Sequence, residues 1–388
     1  MVKKEKTLDT ITETINKKYG DGTVVSGAKV TRDVPRVPTG ILGVDLPTGG
    51  GFPIYRSSCV WGPESSGKTT LTVKAMIGAA SICWRCFNYK FACKCGKAEV
   101  HKKSVFVDIE GTFDAAWAGT LGLTDDDYKY VSPDTGEDAV NHADQLIQAD
   151  DCGLLIVDSL AMLEPSVELD ASADDMQVGL QARLVSKMFR KLTSRIIQRR
   201  KDNNPVAVIF LNQVRAKIGG NTRFKGDPES QPGGYAARFA YSLSMRVGSR
   251  FINASKEPDK FNHRGSPIVV RSSIRINKHK VLALALTGEY DICKSSYMDY
   301  GPGTVLDVPS VITAAKEYGL LTQEKEGWVL RVNGGEGKTY RIQKDLIEVL
   351  KKSPKSLLLL KHIIIQRAKE IELAAMAAED SSDDTVML

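Results

Sequence analysis

The sequence has no long hydrophobic run. No apolar stretch among its 388 residues approaches the roughly 18 residues of a membrane span. The most apolar segments, residues 357–360 and 363–365, are interrupted by Lys361 and His362, which favours a buried helix. The polar N-terminus has no apolar segment behind it, so no signal peptide is expected. We therefore expect neither a membrane span nor a membrane partner.

Cysteine is also scarce, and four of the seven cysteines lie close together. This bunching is typical of metal binding in a reducing compartment rather than of a disulfide framework. The hydrophobic share of 42% and the charged share of 26% are ordinary for a soluble globular protein. A net charge of +6 permits nucleic-acid binding without requiring it.

The most informative stretch, residues 54–71, is an apolar strand pattern, then a glycine-rich turn, then a helix pattern. The turn fits the P-loop spacing G-x-x-x-x-G-K-[ST]. The glycines let backbone N–H groups face phosphates, Lys68 can reach the β- and γ-phosphates, and the Thr69 hydroxyl can ligate Mg²⁺. A turn without nucleotide is the alternative, but strand, turn and helix agree. The predicted ATP-binding positions are Gly62, Pro63, Glu64, Ser65, Ser66, Gly67, Lys68, Thr69 and Thr70.

Strand and helix patterns alternate through the middle of the chain. Strand patterns at residues 58–61, 104–108, 154–158 and 206–212 are separated by helical patterns at 69–80, 137–149 and 178–200. This alternation predicts an α/β fold with a mostly parallel sheet, over residues 36–300. Two further strands are predicted at 266–280 and 281–290, in an antiparallel arrangement.

Smaller regions flank this core. Residues 1–35 form a polar arm with one amphipathic helix, marked by Leu8, Ile11 and Ile15, which is too small to bury its own apolar face. It needs the core or a neighbouring subunit. Residues 301–378 predict a small C-terminal domain, with helices at 304–319 and 342–352 around a hairpin near Trp328. The acidic residues 379–388 predict a disordered tail.

Acids and amides follow three of the core strands. Asp158 ends a buried strand and, beside a P-loop, is the expected Mg²⁺-side acid. Glu110 follows another strand end and is our candidate for activating the attacking water, a solvated loop acid being the alternative. Asn212 and Gln213 end a third strand, where an amide can sense the γ-phosphate. The segment at 214–234, rich in glycine and charge, is either a DNA-binding switch or a solvated loop.

An insert at about residues 82–100 carries the clustered cysteines. Their two close pairs suit a tetrahedral zinc site made by Cys83, Cys86, Cys93 and Cys95. His101 is a spare ligand candidate, whereas Cys59, Cys152 and Cys293 suit buried core thiols. Aromatic and basic residues interleave with the cluster, which suits either stacking on nucleic acid or a purely structural knuckle. They are Trp84, Arg85, Phe87, Tyr89, Lys90 and Phe91.

Several of these motifs follow one another along the chain in the order found in a known protein family. The P-loop, Asp158-Ser159, residues 212–219 and Gly233-Gly234, together with residues 179–183 and 189–192, resemble the bacterial RecA recombinase family. The resemblance covers about residues 8 to 300 and, more loosely, the C-terminal region. It implies a RecA-type P-loop ATPase core, an N-terminal polymerisation arm and a small α+β C-terminal domain.

The resemblance also implies residue roles. Lys68 and Thr69 bind ATP and Mg²⁺, Asp158 lies on the Mg²⁺ side, Glu110 is the catalytic carboxylate and Gln213 is the switch amide. Asp114 and Trp117 contact the adenine, with the ring of Trp117 stacked on it. Lys278 and Lys280 reach the ATP of the adjacent subunit. Strand alternation places both lysines on one face.

Two DNA-binding loops are implied at about residues 169–179 and 215–234. Phosphate contacts are expected from Arg183, Ser186, Arg190, Arg215 and Lys217, whereas Val178 and Ile218 separate base steps. The further DNA-binding positions of the second loop are Gly219, Arg223, Lys225, Gly233 and Gly234. This loop is longer than is usual in the family. Gly111 also stands where bacterial members usually carry histidine, which suggests a distant or phage-encoded member.

The sequence thus predicts an ATP-dependent DNA recombinase that assembles as a helical filament on single-stranded DNA and exchanges strands with homologous duplex. ATP, Mg²⁺ and a structural zinc are the expected cofactors. Single-strand-binding and loader proteins are possible partners, and the cytoplasm of a bacterium or a phage-infected host is the expected location. The alternatives are a RecA-core helicase or repair ATPase, and a filament-forming mediator without strand-exchange activity.

Overall fold

The computed structural model describes residues 7–19, 24, 33–166, 179–216, 229–230, 240–250, 252, 255–262, 265–331 and 337–383. The predicted N-terminal helix is present as α1 (Leu8–Tyr19). The side chains of Leu8 and Ile11 are exposed, so a single chain leaves most of this apolar face uncovered. A short antiparallel pair of strands, β1 (Arg36–Val37) and β2 (Phe52–Pro53), opens the core, with the helix α2 (Leu42–Asp45) between them.

An eight-stranded sheet forms the centre of the molecule. The strands that follow β2 are, in chain order, β3 (Ser57–Gly62), β4 (Lys103–Asp108), β5 (Tyr128–Val131), β6 (Cys152–Asp158), β7 (Ala207–Gln213), β8 (Arg215–Ala216), β9 (Glu229–Ser230), β10 (Leu243–Arg250), β11 (Val269–His279) and β12 (Thr287–Cys293). The spatial order of the sheet is β12-β11-β10-β3-β7-β6-β4-β5, whereas β8 and β9 pair with each other. The six strands from β10 to β5 run parallel, and β11 and β12 add an antiparallel edge. The predicted α/β class is confirmed.

Helices cover both faces of this sheet because its strands are buried on both sides. They are α3 (Lys68–Ser81), α4 (Ala115–Leu121), α5 (Gly136–Leu146) and α6 (Leu180–Lys201). Successive residues of β6 enter different cores: Leu154 and Ile156 belong to the cluster that contains α3 residues, and Leu155 and Val157 to the cluster that contains α5 and α6 residues. Because β3, β4, β6 and β7 run parallel, their last residues lie side by side at one edge of the sheet.

The C-terminal region packs around its own apolar cluster. Its elements are α7 (Val308–Glu317), β13 (Leu321–Glu324), β14 (Gly327–Leu330), β15 (Lys338–Tyr340), α8 (Gln343–Lys352) and α9 (Pro354–Asp383). The predicted hairpin gains a third strand, β15. The buried Lys361 of α9 bonds to Asp307 (Nζ to Oδ2, 2.7 Å) and to the carbonyl oxygen of Gly40 (2.7 Å), which ties α9 to the core.

The predicted disordered tail is wrong for its first part. Helix α9 continues to Asp383, so residues 379–383 have helical backbone, and residues 384–388 lie outside the described part. Leu, Ala, Met and Glu dominate residues 372–379, and neither glycine nor proline follows Pro354, so nothing in the sequence breaks the helix. Within the described ranges, no helix combines the length and apolar character of a membrane span.

Candidate functional site

The predicted P-loop joins β3 to α3 at the carboxyl edge of the sheet. A Cβ atom on Gly62 would lie 2.0 Å from the carbonyl oxygen of Val247, so only glycine fits there. Gly67 has φ of +93° and caps α3 at the point where the chain turns. The first N–H groups of α3 have no partner within the helix and form an anion site at its positive end. The exposed loop positions are Pro63, Glu64 and Ser65.

Lys68, Thr69 and Asp158 meet beside this loop. Nζ of Lys68 donates to the carbonyl oxygens of Gly62 (3.1 Å) and Pro63 (2.7 Å), so the ammonium group lies inside the loop. The Thr69 side chain lies beside the Asp158 carboxylate at the end of β6, close enough to lower the pKa of that carboxyl group. A hydroxyl and a carboxylate are hard oxygen ligands of the kind that Mg²⁺ takes together with phosphate oxygens.

The charge at this edge is negative. Asp158 is 3% exposed, and burial, together with Glu110 and Asp108, raises its pKa to about 7, while Lys68 opposes the shift. Three carboxylates, those of Asp158, Glu110 and Glu64, act on the ammonium group of Lys68. A bound divalent cation would offset this excess, so the donor set and its charge both fit Mg²⁺.

The predicted catalytic acid and the predicted switch amide are in direct contact. Nε2 of Gln213, at the end of β7, donates to Oε1 of Glu110 at 2.9 Å. The backbone N–H groups of Ile109 and Glu110 both donate to the carbonyl oxygen of Asp158, which holds the acid beside β6. Because β8 begins two residues after Gln213, the amide lies between the acid and the glycine-rich segment.

Asp108 positions this acid, a role that the sequence did not reveal. Its buried carboxylate accepts from the backbone N–H groups of Gly111 (2.8 Å) and Phe113 (2.9 Å) and from the hydroxyl of Tyr130 (3.1 Å). These bonds fix the turn that carries Glu110. A signal was available in the sequence, since Asp108 ends the strand two residues before Glu110, but its partners are set by the fold.

Asp114 and Trp117 lie at the start of α4. The Asp114 carboxylate caps this helix by accepting from the Trp117 backbone N–H at 2.9 Å. The indole N–H of Trp117 donates to the hydroxyl of Thr70 at 3.1 Å, which joins the ring to the P-loop helix. The ring is partly buried against the core cluster. Stacking of adenine on Trp117 stays a prediction, at a place adjacent to the P-loop.

The predicted strand through Lys278 and Lys280 ends earlier than expected. Strand β11 stops at His279, and its register against β10 shifts at Ser244, where Asn277 is the extra residue. Lys280 follows the strand directly and its backbone N–H still donates to the carbonyl oxygen of Ser242 at 2.7 Å, so the shared face of the two lysines stays a prediction. The two ammonium groups are nevertheless close enough that Lys280, together with burial, lowers the pKa of Lys278. Lys280 is exposed and Lys278 half-buried in the single chain.

The DNA-binding predictions fall partly within the described residues. Arg183 and Arg190 are exposed on α6, seven residues and so about two turns apart, with Ser186 between them on the same side. The Ser186 hydroxyl donates to the carbonyl oxygen of Ala182. Arg215 is in β8, which pairs antiparallel with β9. The predicted positions outside the described residues are Val178, Lys217, Ile218, Gly219, Arg223, Lys225, Gly233 and Gly234.

The four clustered cysteines meet at one point. Their sulfur atoms all lie within 4.8 Å of one another, as four ligands of one ion require, and Cys86 and Cys93 are 3.6 Å apart. His101 is exposed and does not belong to this group. Four converging thiols fit zinc by the chemistry of the donor set. Cys59, Cys152 and Cys293 are buried elsewhere, as expected.

Most of the aromatic residues of the insert face inward. Trp84 is 1% exposed and donates its indole N–H to the carbonyl oxygen of Ala79 at 2.9 Å. Tyr89 is buried too, stacked on Phe91 with ring centroids 5.4 Å apart and in edge contact with His362 of α9. Of the two alternatives, stacking on nucleic acid does not suit Trp84 and Tyr89, because the core and α9 already cover them. These contacts favour the structural knuckle.

Comparison with known proteins gives consistent results. The RecA N-terminal domain family matches residues 6–298. A protein named Protein RecA from Teredinibacter turnerae is 36% identical over 348 residues, which are 88% of this chain and 88% of that protein. Protein RecA from Pseudomonas fluorescens (strain Pf0-1) is 34% identical over 390 residues, covering 98% and 97% of the two chains.

A third relative, Protein RecA from Nitratidesulfovibrio vulgaris (strain DP4), is 39% identical over 279 residues, covering 71% of this chain and 68% of that protein. The family match and these similarities extend across the P-loop, the acids at the strand ends and the amide that joins them. With the fold and the site arranged as described, the chain belongs to the RecA family.

Proposed function

We propose that this chain is an ATP-dependent recombinase that assembles on single-stranded DNA as a helical filament and exchanges strands with homologous duplex. The hydrogen bond between Gln213 and Glu110 carries the proposal. It links the hydrolytic acid to the segment expected to bind DNA, which an ATPase coupled to DNA requires. Membership of the RecA family supports the ATP, Mg²⁺ and DNA dependence and the homo-oligomeric filament.

Each residue at the edge of the sheet has a defined task in hydrolysis. The P-loop N–H groups and Lys68 hold the phosphates, and Thr69 and Asp158 would hold Mg²⁺, which offsets charge on the transferring group. Glu110 accepts the proton of the attacking water. Asp108 keeps the turn around Glu110 fixed, so that this carboxylate stays within reach of the γ-phosphate.

Gln213 would report the state of this site to DNA. Its amide donates to Glu110, and a γ-phosphate within reach would compete for the same N–H group. A shift of the Gln213 side chain moves the end of β7, from which β8 and the predicted second DNA loop continue. ATP binding thereby favours the filament conformation that binds DNA, and hydrolysis releases it.

The DNA contacts would be mainly to phosphate, from Arg183 and Arg190 of α6 and from the second loop, so that pairing between strands supplies specificity. We further propose that Lys278 and Lys280 complete the ATP site of the adjacent subunit, and that α1 packs on a neighbour. Single-strand-binding and loader proteins as partners, and a cytoplasmic location, follow from the same proposal.

Replacing Gln213 by alanine tests this coupling. ATP should still bind, but stimulation of hydrolysis by single-stranded DNA should fall by about 10–100-fold, because a hydrogen bond to a charged group contributes roughly 1.5–3 kcal/mol. Gln198→Ala is the matched control, because Gln198 is an exposed glutamine near the C-terminal end of α6, away from Arg183 and Arg190. Stimulation equal to that of the unaltered protein would contradict the coupling role of Gln213.

We also propose that Cys83, Cys86, Cys93 and Cys95 bind one structural zinc ion. The contact of Tyr89 with His362 suggests that the metal holds the insert in the shape on which α9 docks. The role is then stability of the C-terminal region rather than DNA contact.

Metal analysis should find about one zinc per chain in protein purified without chelator. The Cys83→Ser/Cys86→Ser protein should lose zinc and become more sensitive to proteolysis at α9, whereas Cys293→Ala should retain the metal. Absence of zinc from the unaltered protein would refute the site. Loss of zinc with unchanged proteolysis would refute the role in docking α9.

A further inference from the structure

A separate cavity lies where the start of the core, the cysteine insert and α9 meet. Its volume is about 550 Å³. Residues that shape it include Arg36, Gly50, Phe87, Tyr89, His362 and Lys369. The residues assigned above to ATP, Mg²⁺ and DNA are not among those lining it, so it is distinct from the nucleotide site.

Arg36 is the unusual member of this lining. Its side chain is 6% exposed, and Nη2 donates to the carbonyl oxygen of Leu282 at 2.9 Å. Nε and Nη1 are shielded from solvent and have no hydrogen-bond partner within the described chain. Burial lowers the pKa of Arg36 to about 10, which leaves the guanidinium charged at neutral pH. A buried charged donor without an acceptor is costly for a folded protein, and an ion is one of the partners that satisfy such a group.

A second cation lies beside Arg36. Lys369 of α9 is 8% exposed. A Cβ atom on Gly49 would be 3.7 Å from both Nη2 of Arg36 and Cε of Lys369, so the two side chains converge on this glycine. Nζ of Lys369 is paired with Asp33 at 3.0 Å. The cavity therefore brings cations together from two separate elements, β1 and α9.

The nearby carboxylates do not satisfy the two free N–H positions of Arg36. Asp33 is paired with Lys369 and its charge also raises the pKa of Arg36, but within the described residues it does not hydrogen-bond to Nε or Nη1. The Asp45 carboxylate also lines the cavity, but it accepts from the Thr39 N–H and hydroxyl and from the Gly40 N–H, at 2.8–3.1 Å. Residues 25–32, which precede Asp33 in the chain, contain no acidic residue.

We propose that this cavity binds a small oxyanion of the phosphate class through Nε and Nη1 of Arg36, with Lys369 beside it. A guanidinium is planar and presents its N–H groups in a fixed geometry that matches phosphate oxygens. The anion would join β1 of the core to α9 and so stabilise the docked C-terminal helix. Its source is either free inorganic phosphate or the phosphate group of a nucleotide.

The test must separate this site from the P-loop, which also binds phosphate. Equilibrium dialysis with radiolabelled inorganic phosphate is therefore done on full-length Lys68→Ala protein, in which P-loop binding is impaired. We expect one remaining phosphate per chain. Adding Arg36→Met should weaken this binding by at least about tenfold, whereas adding Arg367→Met, on the outer side of α9, should leave it unchanged. Displacement of label by AMP more readily than by unlabelled phosphate would identify a nucleotide as the source.

Thermal unfolding gives a second measurement. Phosphate should raise the Tm of the Lys68→Ala protein but not of Lys68→Ala/Arg36→Met, since a ligand stabilises only the folded state that binds it. If Arg36→Met does not fold, Lys369→Met provides the same comparison. No phosphate binding by the Lys68→Ala protein, or equal affinity with and without Arg36, would overturn the proposal.

Discussion

Replacing Glu110 by glutamine should slow ATP hydrolysis by about 10²–10⁴-fold, the contribution of a positioned general base. The substitution keeps the size of the side chain and an oxygen that can accept from Gln213, so ATP binding and filament assembly should persist. Filaments on DNA should therefore last longer, because release depends on hydrolysis. Steady-state turnover and a filament-lifetime assay measure the two effects.

Glu326→Gln is the matched control for this change. Glu326 lies in the exposed turn between β13 and β14, far along the chain from the site, and its loss should leave turnover unchanged. Turnover by Glu110→Gln equal to that of this control would show that Glu110 is a solvated loop acid.

Replacing Lys280 by alanine should lower the rate of DNA-stimulated ATP hydrolysis by about 10³-fold. This is the lower end of the rate contribution made by residues that stabilise phosphoryl transfer from a neighbouring subunit. ATP should still bind to the isolated subunit, because the P-loop does not contain this lysine. Lys325→Ala, in the same exposed turn as Glu326, is the matched control. Stimulated turnover that survives in both Lys278→Ala and Lys280→Ala would show that these side chains only face water.

Mixing the two defective proteins distinguishes action between subunits from action within one. In an equimolar mixture of Lys280→Ala and Glu110→Gln proteins, about a quarter of the head-to-tail interfaces join an intact Glu110 to an intact Lys280. Those interfaces should hydrolyse ATP, so turnover should reappear. If both residues act in the same subunit, the mixture stays inactive.

The sequence predicted the centre of the molecule well because several local signals agreed there. The P-loop, the buried strand that ends at Asp158 and the strand that ends at Gln213 were each predicted close to their observed bounds. Parallel strands deliver their ends to one edge, so motifs that are far apart in sequence could be expected to meet. The convergence of Cys83, Cys86, Cys93 and Cys95 was equally predictable, since two closely spaced pairs within one short insert can bring four thiols together.

The remaining features depend on tertiary contacts that no local pattern encodes. The three bonds to Asp108 come from a turn and from the Tyr130 side chain of a neighbouring strand, so its positioning role appears only in the fold. Strand β11 ends at His279, one residue before Lys280, and carries an extra residue at Asn277, and no local pattern encodes either feature. The inward orientation of Trp84, and the two donors of Arg36 that find no partner in the described part of the chain, likewise follow from packing of the core and α9.

Strand exchange tests the central claim most directly. The full-length protein is bound to single-stranded DNA and given homologous duplex, and joint molecules are measured with ATP, with ADP and with no nucleotide. The account predicts joint molecules with ATP alone, none with heterologous duplex, and none with the Lys68→Ala protein. DNA-stimulated ATP hydrolysis without joint molecules would contradict the account and favour a helicase, a repair ATPase or a filament-forming mediator.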